Sequence, residues 1–242
     1  MSEEKTLIID GHSLTLGNIE KVVYKNYRVK IPDDIFEKTE ETNEFINKQV
    51  EKEEVYYGIT TGFGALATTV LTGEEGKKKA KKLQLNLLRS HSVGVGENVS
   101  DDIARATLLI RLNTLARGCS GVRPGILKLF IAFLNKNVIP IIPSKGSVGA
   151  SGDLAPLSHL ALALIGDPNG AIKYQGKVYT GLELKKILYE EIYKDVSDPI
   201  IPSQPNLHSL DPLIELSYKE GLALNNGSSF TAAIISTCLL YT

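Results

Sequence analysis

Apolar positions are sparse and short-ranged in the first fifty residues and then settle into longer runs of helical period. Thr6-Leu7-Ile8-Ile9 before Asp10-Gly11 predicts a short strand and turn. Leu16 to Tyr24 predicts a short helix, and Tyr27 to Ile31 a second strand ending at Pro32. From Asp33 to Glu53, Ile35, Phe36, Phe45, Ile46 and Val50 are spread thinly among charges, which predicts a mostly solvent-facing helix. Thr72-Gly73-Glu74-Glu75 has the spacing of a capping box and should open a helix through Leu83, Leu87 and Leu88 to Ser90-His91. Ser100-Asp101-Asp102 should cap a helix carrying Leu108, Leu112 and Leu115. Arg117 to Gly121 breaks it, and Pro124 suits the first turn of a further helix through Ile126, Leu127, Phe130, Ile131 and Leu134.

Val138 to Pro143 reads as an extended, proline-kinked approach to a Gly-rich segment. An apolar helix from Leu154 to about Ile165 follows, with Ser151 or Asp153 as its expected cap. Ala171 to Tyr179 predicts a hairpin around Gln175-Gly176, and Thr180-Gly181-Leu182-Glu183 a second capping box opening a helix to Tyr189. Asp195 to Pro205, with three prolines, predicts a loop or linker. Ser209 and Pro212 should start a helix reaching Ser229, and Phe230 to Thr242 reads as an apolar helix. The pattern as a whole predicts a mainly α fold with a small α/β N-terminal region. The expected division is residues 1–206 and residues 207–242.

Composition narrows the function. A chain of 242 residues with 43% hydrophobic content can bury a sizeable core. A net charge of −1 gives no electrostatic footprint for nucleic acid. The cluster Lys77-Lys78-Lys79 with Lys81 and Lys82 follows Glu74-Glu75 and reads as a solvated helix face. Cys119 and Cys238 are in no metal-ligand spacing, so no metal is expected. The N-terminus lacks the pattern of a signal peptide, and no apolar run approaches a membrane span. A soluble, cytoplasmic protein is the expectation.

The chemistry-bearing residues fall in four strings. Gly146-Ser147-Val148-Gly149-Ala150-Ser151-Gly152-Asp153 joins permissive glycines to the small tripeptide Ala150-Ser151-Gly152. It fails the phosphate-loop pattern, because Lys145 precedes the glycines, and it fails the Gly-x-Ser-x-Gly elbow of serine hydrolases. A Ser-Lys amidase using Lys145 with Ser147 or Ser151 stays open. Tyr56-Tyr57-Gly58-Ile59-Thr60-Thr61-Gly62-Phe63-Gly64 reads as a loop. Leu83 to Gly96 places Ser90 and His91 near a helix C-terminus, where the macrodipole alone can account for a histidine. Glu220-Gly221-Leu222-Ala223-Leu224-Asn225-Asn226-Gly227-Ser228 ends on an asparagine beside a glycine, an ordinary helix-capping arrangement.

Together, and in this order, the four strings resemble the aromatic amino acid ammonia-lyases, nearest to their histidine-specific members, over nearly the whole chain and about the N-terminal half of a usual member. The resemblance implies a helical-bundle core completed by a C-terminal half. It implies that Ala150, Ser151 and Gly152 cyclise to a methylidene-imidazolone prosthetic group. Tyr57 would be the catalytic base, Asn226 and Gly64 would meet the substrate, and Ser90 with His91 would contact its side chain. Asp153 and Phe63 would support the site. Asn225 and Ser228 depart from the family's usual apolar residue and threonine, and Asn225 needs hydrogen-bond partners if buried.

The implied activity is elimination of ammonia from L-histidine to give urocanate. Tyrosine or phenylalanine ammonia-lyases and aminomutases use the same parts, and Ser90-His91 is the discriminator. An inactive or regulatory half-subunit is the non-enzymatic alternative. The resemblance further implies a tetramer, with a second polypeptide or fragment supplying the C-terminal half.

Overall fold

The computed structural model describes residues 5–241. The α/β-like start is present as β1 (Thr6–Ile8) and β2 (Arg28–Lys30), paired in parallel across α1 (Leu16–Val23). Thr15 accepts the Asn18 amide at the head of α1. Next comes α2 (Asp33–Glu51), which buries one stripe, Ile35, Thr39, Asn43, Ile46 and Val50, and turns its charges to solvent. The Tyr-bearing loop, with a single 3₁₀ turn at Gly64–Leu66, leads to α3 (Gly73–His91).

The centre is built by α4 (Asp101–Leu115), α5 (Pro124–Asn135) and α6 (Leu154–Leu164). Leu108, Leu109, Leu112, Ile126, Phe130, Phe133, Leu157 and Leu160 are all fully buried there. Helix α6 is apolar but for Ser158 and His159, and all its residues except Leu154 and His159 are buried, as suits a helix at the middle of a core. Ser100 caps α4 through the Ile103 amide, and Pro124 stands in the first turn of α5, both as the sequence predicts.

Short strands tie the helices together. The extended approach to the Gly-rich segment contains β4 (Ile139–Pro140), which pairs antiparallel with β6 (Ala171–Tyr174), itself paired with β7 (Lys177–Thr180). The β6–β7 turn has Gln175 at φ 49° and Gly176 at φ 77°, a geometry that suits the twist of a tight hairpin. An unexpected strand, β3 (Val95–Asn98), pairs antiparallel with β5 (Pro143–Lys145) and so lays the end of α3 beside the Gly-rich segment. Helix α7 (Gly181–Ile187) runs on as a π turn over Leu188–Ile192.

Three local expectations are corrected. Neither Thr72 nor Thr180 makes a side-chain cap bond, and Glu75 pairs with Lys79 instead of reaching back. Asp153 stands at the head of α6 but does not cap it, because its carboxylate is taken by another helix. The helix expected from Ser209 or Pro212 is confined to α8 (Glu220–Asn225). Residues upstream of α8 bond elsewhere. Lys185 Nζ donates to the carbonyls of Asn206, Ser209 and Asp211, Arg89 to that of Leu210, and Leu213 and Ile214 donate to Gly166 and Ile165. Lys219, at φ 64°, then turns the chain into α8. The last helix, α9 (Ser229–Tyr241), packs along α4, with Ile234, Ile235 and Leu239 exposed.

Candidate functional site

The Gly-rich segment leaves β5 and folds into a tight turn. Gly149 (φ 81°) and Gly152 (φ 84°) both occupy the left-handed region, and Gly152 N donates to Gly149 O at 3.3 Å. Ala150 and Ser151 therefore stand at the two central positions, exposed. Gly152 pairs with Gly227 in a parallel bridge, and Asp153 N donates to Gly227 O at 2.7 Å. A Cβ at Gly152 would sit 2.4 Å from that carbonyl oxygen, so only glycine fits. The tripeptide is thus fastened to the residue that follows Asn226.

Asp153 is buried, and its two oxygens accept from Thr231 N at 2.8 Å and Thr231 Oγ1 at 2.6 Å. A carboxylate in the first turn of α9 is favoured by that helix's exposed amides and dipole. Asp153 therefore joins the Gly-rich turn to α9, a role the sequence reading assigned to capping of α6.

On the other side of Gly227 lies Arg111 of α4, which the sequence reading missed. Its Nη2 donates to the carbonyls of Ala223 and Asn226, the latter at 2.8 Å, and a Cβ on Gly227 would meet its Nη1 at 2.6 Å. Burial lowers the Arg111 pKa to about 10, and the charge on Asp153 opposes the shift. An arginine directly after Leu108-Leu109-Ile110 and before Leu112, inside the apolar stretch of α4, was the available signal. Asn225 is fully buried and donates to Ser158 Oγ at 3.2 Å, while its Oδ1 has no protein partner among the described residues.

The Tyr loop docks on the same helix. Tyr57 is exposed, its ring is edge-on to Phe63 at 6.0 Å, and its Oη accepts the Gly64 amide at 3.1 Å. Gln84, buried in α3, donates to Gly58 O at 3.2 Å and accepts Leu222 N at 3.1 Å. One amide side chain thus sets the Tyr loop against α8. A cavity of about 340 Å³ results, lined by Tyr57, Arg111, Lys219, Leu222 and Asn226 among others. A slightly larger hollow of about 360 Å³, beside Tyr189 and Tyr193, holds none of the residues singled out for chemistry.

Ser90 and His91 lie at the C-terminal end of α3, outside the lining of the tyrosine cavity. His91 Nδ1 is 2.9 Å from Leu87 O and 3.1 Å from Ser90 Oγ. A carbonyl can only accept, so Nδ1 is the donor in the contact with Leu87 O. Beyond His91, the Gly94 amide donates to His159 Nε2 of α6 at 3.0 Å, and burial lowers the His159 pKa.

The residues fit the cyclisation that the resemblance implies. Gly152 supplies an amide with no side chain beside it in a turn, and Ser151 is exposed at the tip. The amidase arrangement is not assembled, since Lys145 lies in β5 and makes no hydrogen bond to Ser147 or Ser151. Among the described residues no group of three or more His, Cys, Asp or Glu is placed to hold a metal ion, and no helix is long and apolar enough to cross a membrane.

Comparison with known proteins gives a consistent answer. The profile of the aromatic amino acid lyase family matches residues 14–242. The histidine ammonia-lyase of Alkaliphilus oremlandii is 39% identical over 230 residues, covering 95% of this chain and 40% of that protein. The solved tyrosine aminomutase of Streptomyces globisporus superposes with a TM-score of 0.77 at 35% identity, over 96% of this chain and 38% of its own. Histidine ammonia-lyase from Trypanosoma cruzi superposes with a TM-score of 0.76 at 32% identity, over 97% and 40%. This chain therefore spans about 40% of the length of the curated relatives it matches. With sequence profile, pairwise identity and backbone in agreement across nearly all its residues, the chain belongs to the aromatic amino acid lyase family.

Proposed function

We propose that this chain carries the electrophile-forming part of an ammonia-lyase that converts L-histidine to urocanate and ammonia. The observation that carries the reading is the fastening of the Gly149–Gly152 turn to Gly227, one residue from Asn226, which lines the Tyr57 cavity just past the end of α8. Ammonia is a poor leaving group and the β-proton of an amino acid is weakly acidic, so both departures need help. The methylidene-imidazolone that Ala150, Ser151 and Gly152 would form supplies an electron-poor centre that no unmodified side chain offers.

The remaining roles belong to ordinary side chains. Tyr57 takes the β-proton, and the Gly64 amide donates to its Oη and so fixes the oxygen that receives it. Asn226 lines the cavity and carries a side-chain amide of the kind that can hold a carboxylate, while its backbone carbonyl is held by Arg111. His91 contacts the substrate side chain, with its ring held at Nδ1 by Leu87 O and Ser90 Oγ. Gly64 leaves room beside the tyrosine, since nothing lies within 4 Å of a Cβ placed there, and Phe63 braces the Tyr57 ring. The reading includes a cytoplasmic tetrameric assembly, with further substrate-binding groups contributed by polypeptide outside these 242 residues.

The likeness to a tyrosine aminomutase favours one second reading, an aminomutase or lyase acting on tyrosine or phenylalanine. Product absorbance after separate incubation of the assembled enzyme with histidine, tyrosine and phenylalanine distinguishes the two. Histidine should be the substrate turned over. Tyr57→Phe should lower turnover by about 10²–10⁴-fold, the usual contribution of a general base. Full turnover by Ser151→Ala would refute the reading.

A further inference from the structure

The turn that presents Ala150 and Ser151 is bracketed by a side chain that lines neither cavity and caps no helix. The Ser147 hydroxyl donates to Gly152 O at 2.9 Å and accepts Gly149 N at 3.3 Å. A single oxygen thus ties the two ends of the turn together. Gly152 is held on its far side by Gly227, so the Ser147 contacts decide how far the Gly149–Ala150 end folds back toward it. Glycine-flanked backbone without such a tie spreads over many conformations, and ordering it costs conformational entropy.

We infer that Ser147 is a positioning residue for the cyclisation of Ala150-Ser151-Gly152, an inference that rests on the reading of that tripeptide given above. In the reaction a bond forms between Gly152 N and the carbonyl carbon of Ala150. The Ala150 carbonyl oxygen leaves as water with the amide hydrogens of Gly152 and Ser151. The Ser151 hydroxyl leaves as a second water with the Ser151 Cα hydrogen, and the electron pair of that C–H bond becomes the exocyclic double bond. Oxidation state balances without an added reagent. The demanding step is the approach of Gly152 N to Ala150, and the Ser147 hydroxyl holds the chain in the folded-back shape from which it starts. Its hydrogen is committed to Gly152 O, and Lys145 does not engage it, so it is not arranged as a nucleophile.

The test is a time course of intact mass on the full chain after synthesis. The wild-type chain should end lighter by two water molecules, and Ser151→Ala should keep its full mass. Ser147→Ala should lose water about tenfold more slowly, equivalent to about 1.4 kcal/mol in the barrier. Ser147→Thr keeps the hydroxyl and should restore the rate. Ser147 is exposed, so the alanine variant should melt with the wild type, and a role in stability alone would leave the dehydration rate untouched. Dehydration of Ser147→Ala at the wild-type rate, or failure of threonine to restore it, overturns the inference and leaves the reading of the tripeptide standing. A wild-type chain that never loses water overturns both.

Discussion

Replacing Glu220 by glutamine should be among the most damaging conservative changes in this chain. The Glu220 side chain is fully buried. Its Oε1 accepts from Arg123 N and Arg123 Nε, both at 2.9 Å, and its Oε2 accepts from Arg123 Nη2 and Ser217 N, both at 2.7 Å. Glutamine keeps one acceptor oxygen and turns the other position into an NH₂ group facing two donors. Two charge-assisted bonds are lost, each worth about 1.5–3 kcal/mol, and the guanidinium loses its counter-charge. Removing one partner of a buried ion pair costs about 3–5 kcal/mol, which agrees with that sum. For a chain of this size each kcal/mol moves the melting temperature by about 2–4 °C, so Glu220→Gln should melt about 6–20 °C below wild type. Because Glu220 opens the helix that ends at Asn226, the loss should reach the site as well. Urea denaturation of Glu220→Gln, Arg123→Met and the double variant, read as a double-mutant cycle, checks the argument. The double variant should recover part of the loss, since no charge is then left without a partner. A loss under about 1 kcal/mol, or strictly additive single effects, would refute the assigned burial and pairing.

Two further changes probe the junction. Gly227→Ala puts a Cβ 2.6 Å from Arg111 Nη1 at a φ of 148°, and should destabilise the chain by about 1–3 kcal/mol from backbone strain alone. Urea midpoints measure this, and a wild-type midpoint would mean that Arg111 does not press on Gly227. His159 should make stability depend on pH, because burial lowers its folded pKa beneath the ordinary 6.5 and its Nε2 must stay unprotonated to accept Gly94 N. The contribution is therefore complete above about pH 6.5 and is lost as pH falls from there through the folded pKa. Chemical denaturation across that interval should show a shallower slope for His159→Gln, and an unchanged slope would remove His159 from the account.

The helices were legible in the sequence wherever a periodic apolar stripe met a local stop signal. The α4 and α5 boundaries at Ser100 and Pro124 and the hairpin at Gln175-Gly176 follow from side chains within a few residues of the backbone they control. The segment ahead of α8 was misread as helix because its backbone partners, Lys185, Arg89 and the Ile165-Gly166 carbonyls, lie far away in sequence. Asp153 was misread for the same reason, since Thr231 is 78 residues distant. For the site, the resemblance to the ammonia-lyases singled out Tyr57, Ser151 and Asn226, because the glycine-rich strings that carry it are contiguous in the chain. Gln84 and Arg111 stayed hidden, each being one polar residue among several on its helix, whose purpose appears only when the facing backbone is in place.

By itself, then, the order of residues determined most of the helices, which depend on interactions spanning a few positions, and supplied the contiguous strings that carry the family resemblance. Only the tertiary structure decided that Gly152 meets Gly227, that Gln84 sets the Tyr loop against α8, and that Arg111 holds the carbonyl of Asn226. Those contacts join positions tens to more than a hundred residues apart, and burial makes them matter, because a polar group withdrawn from water must find its partner wherever the fold supplies one.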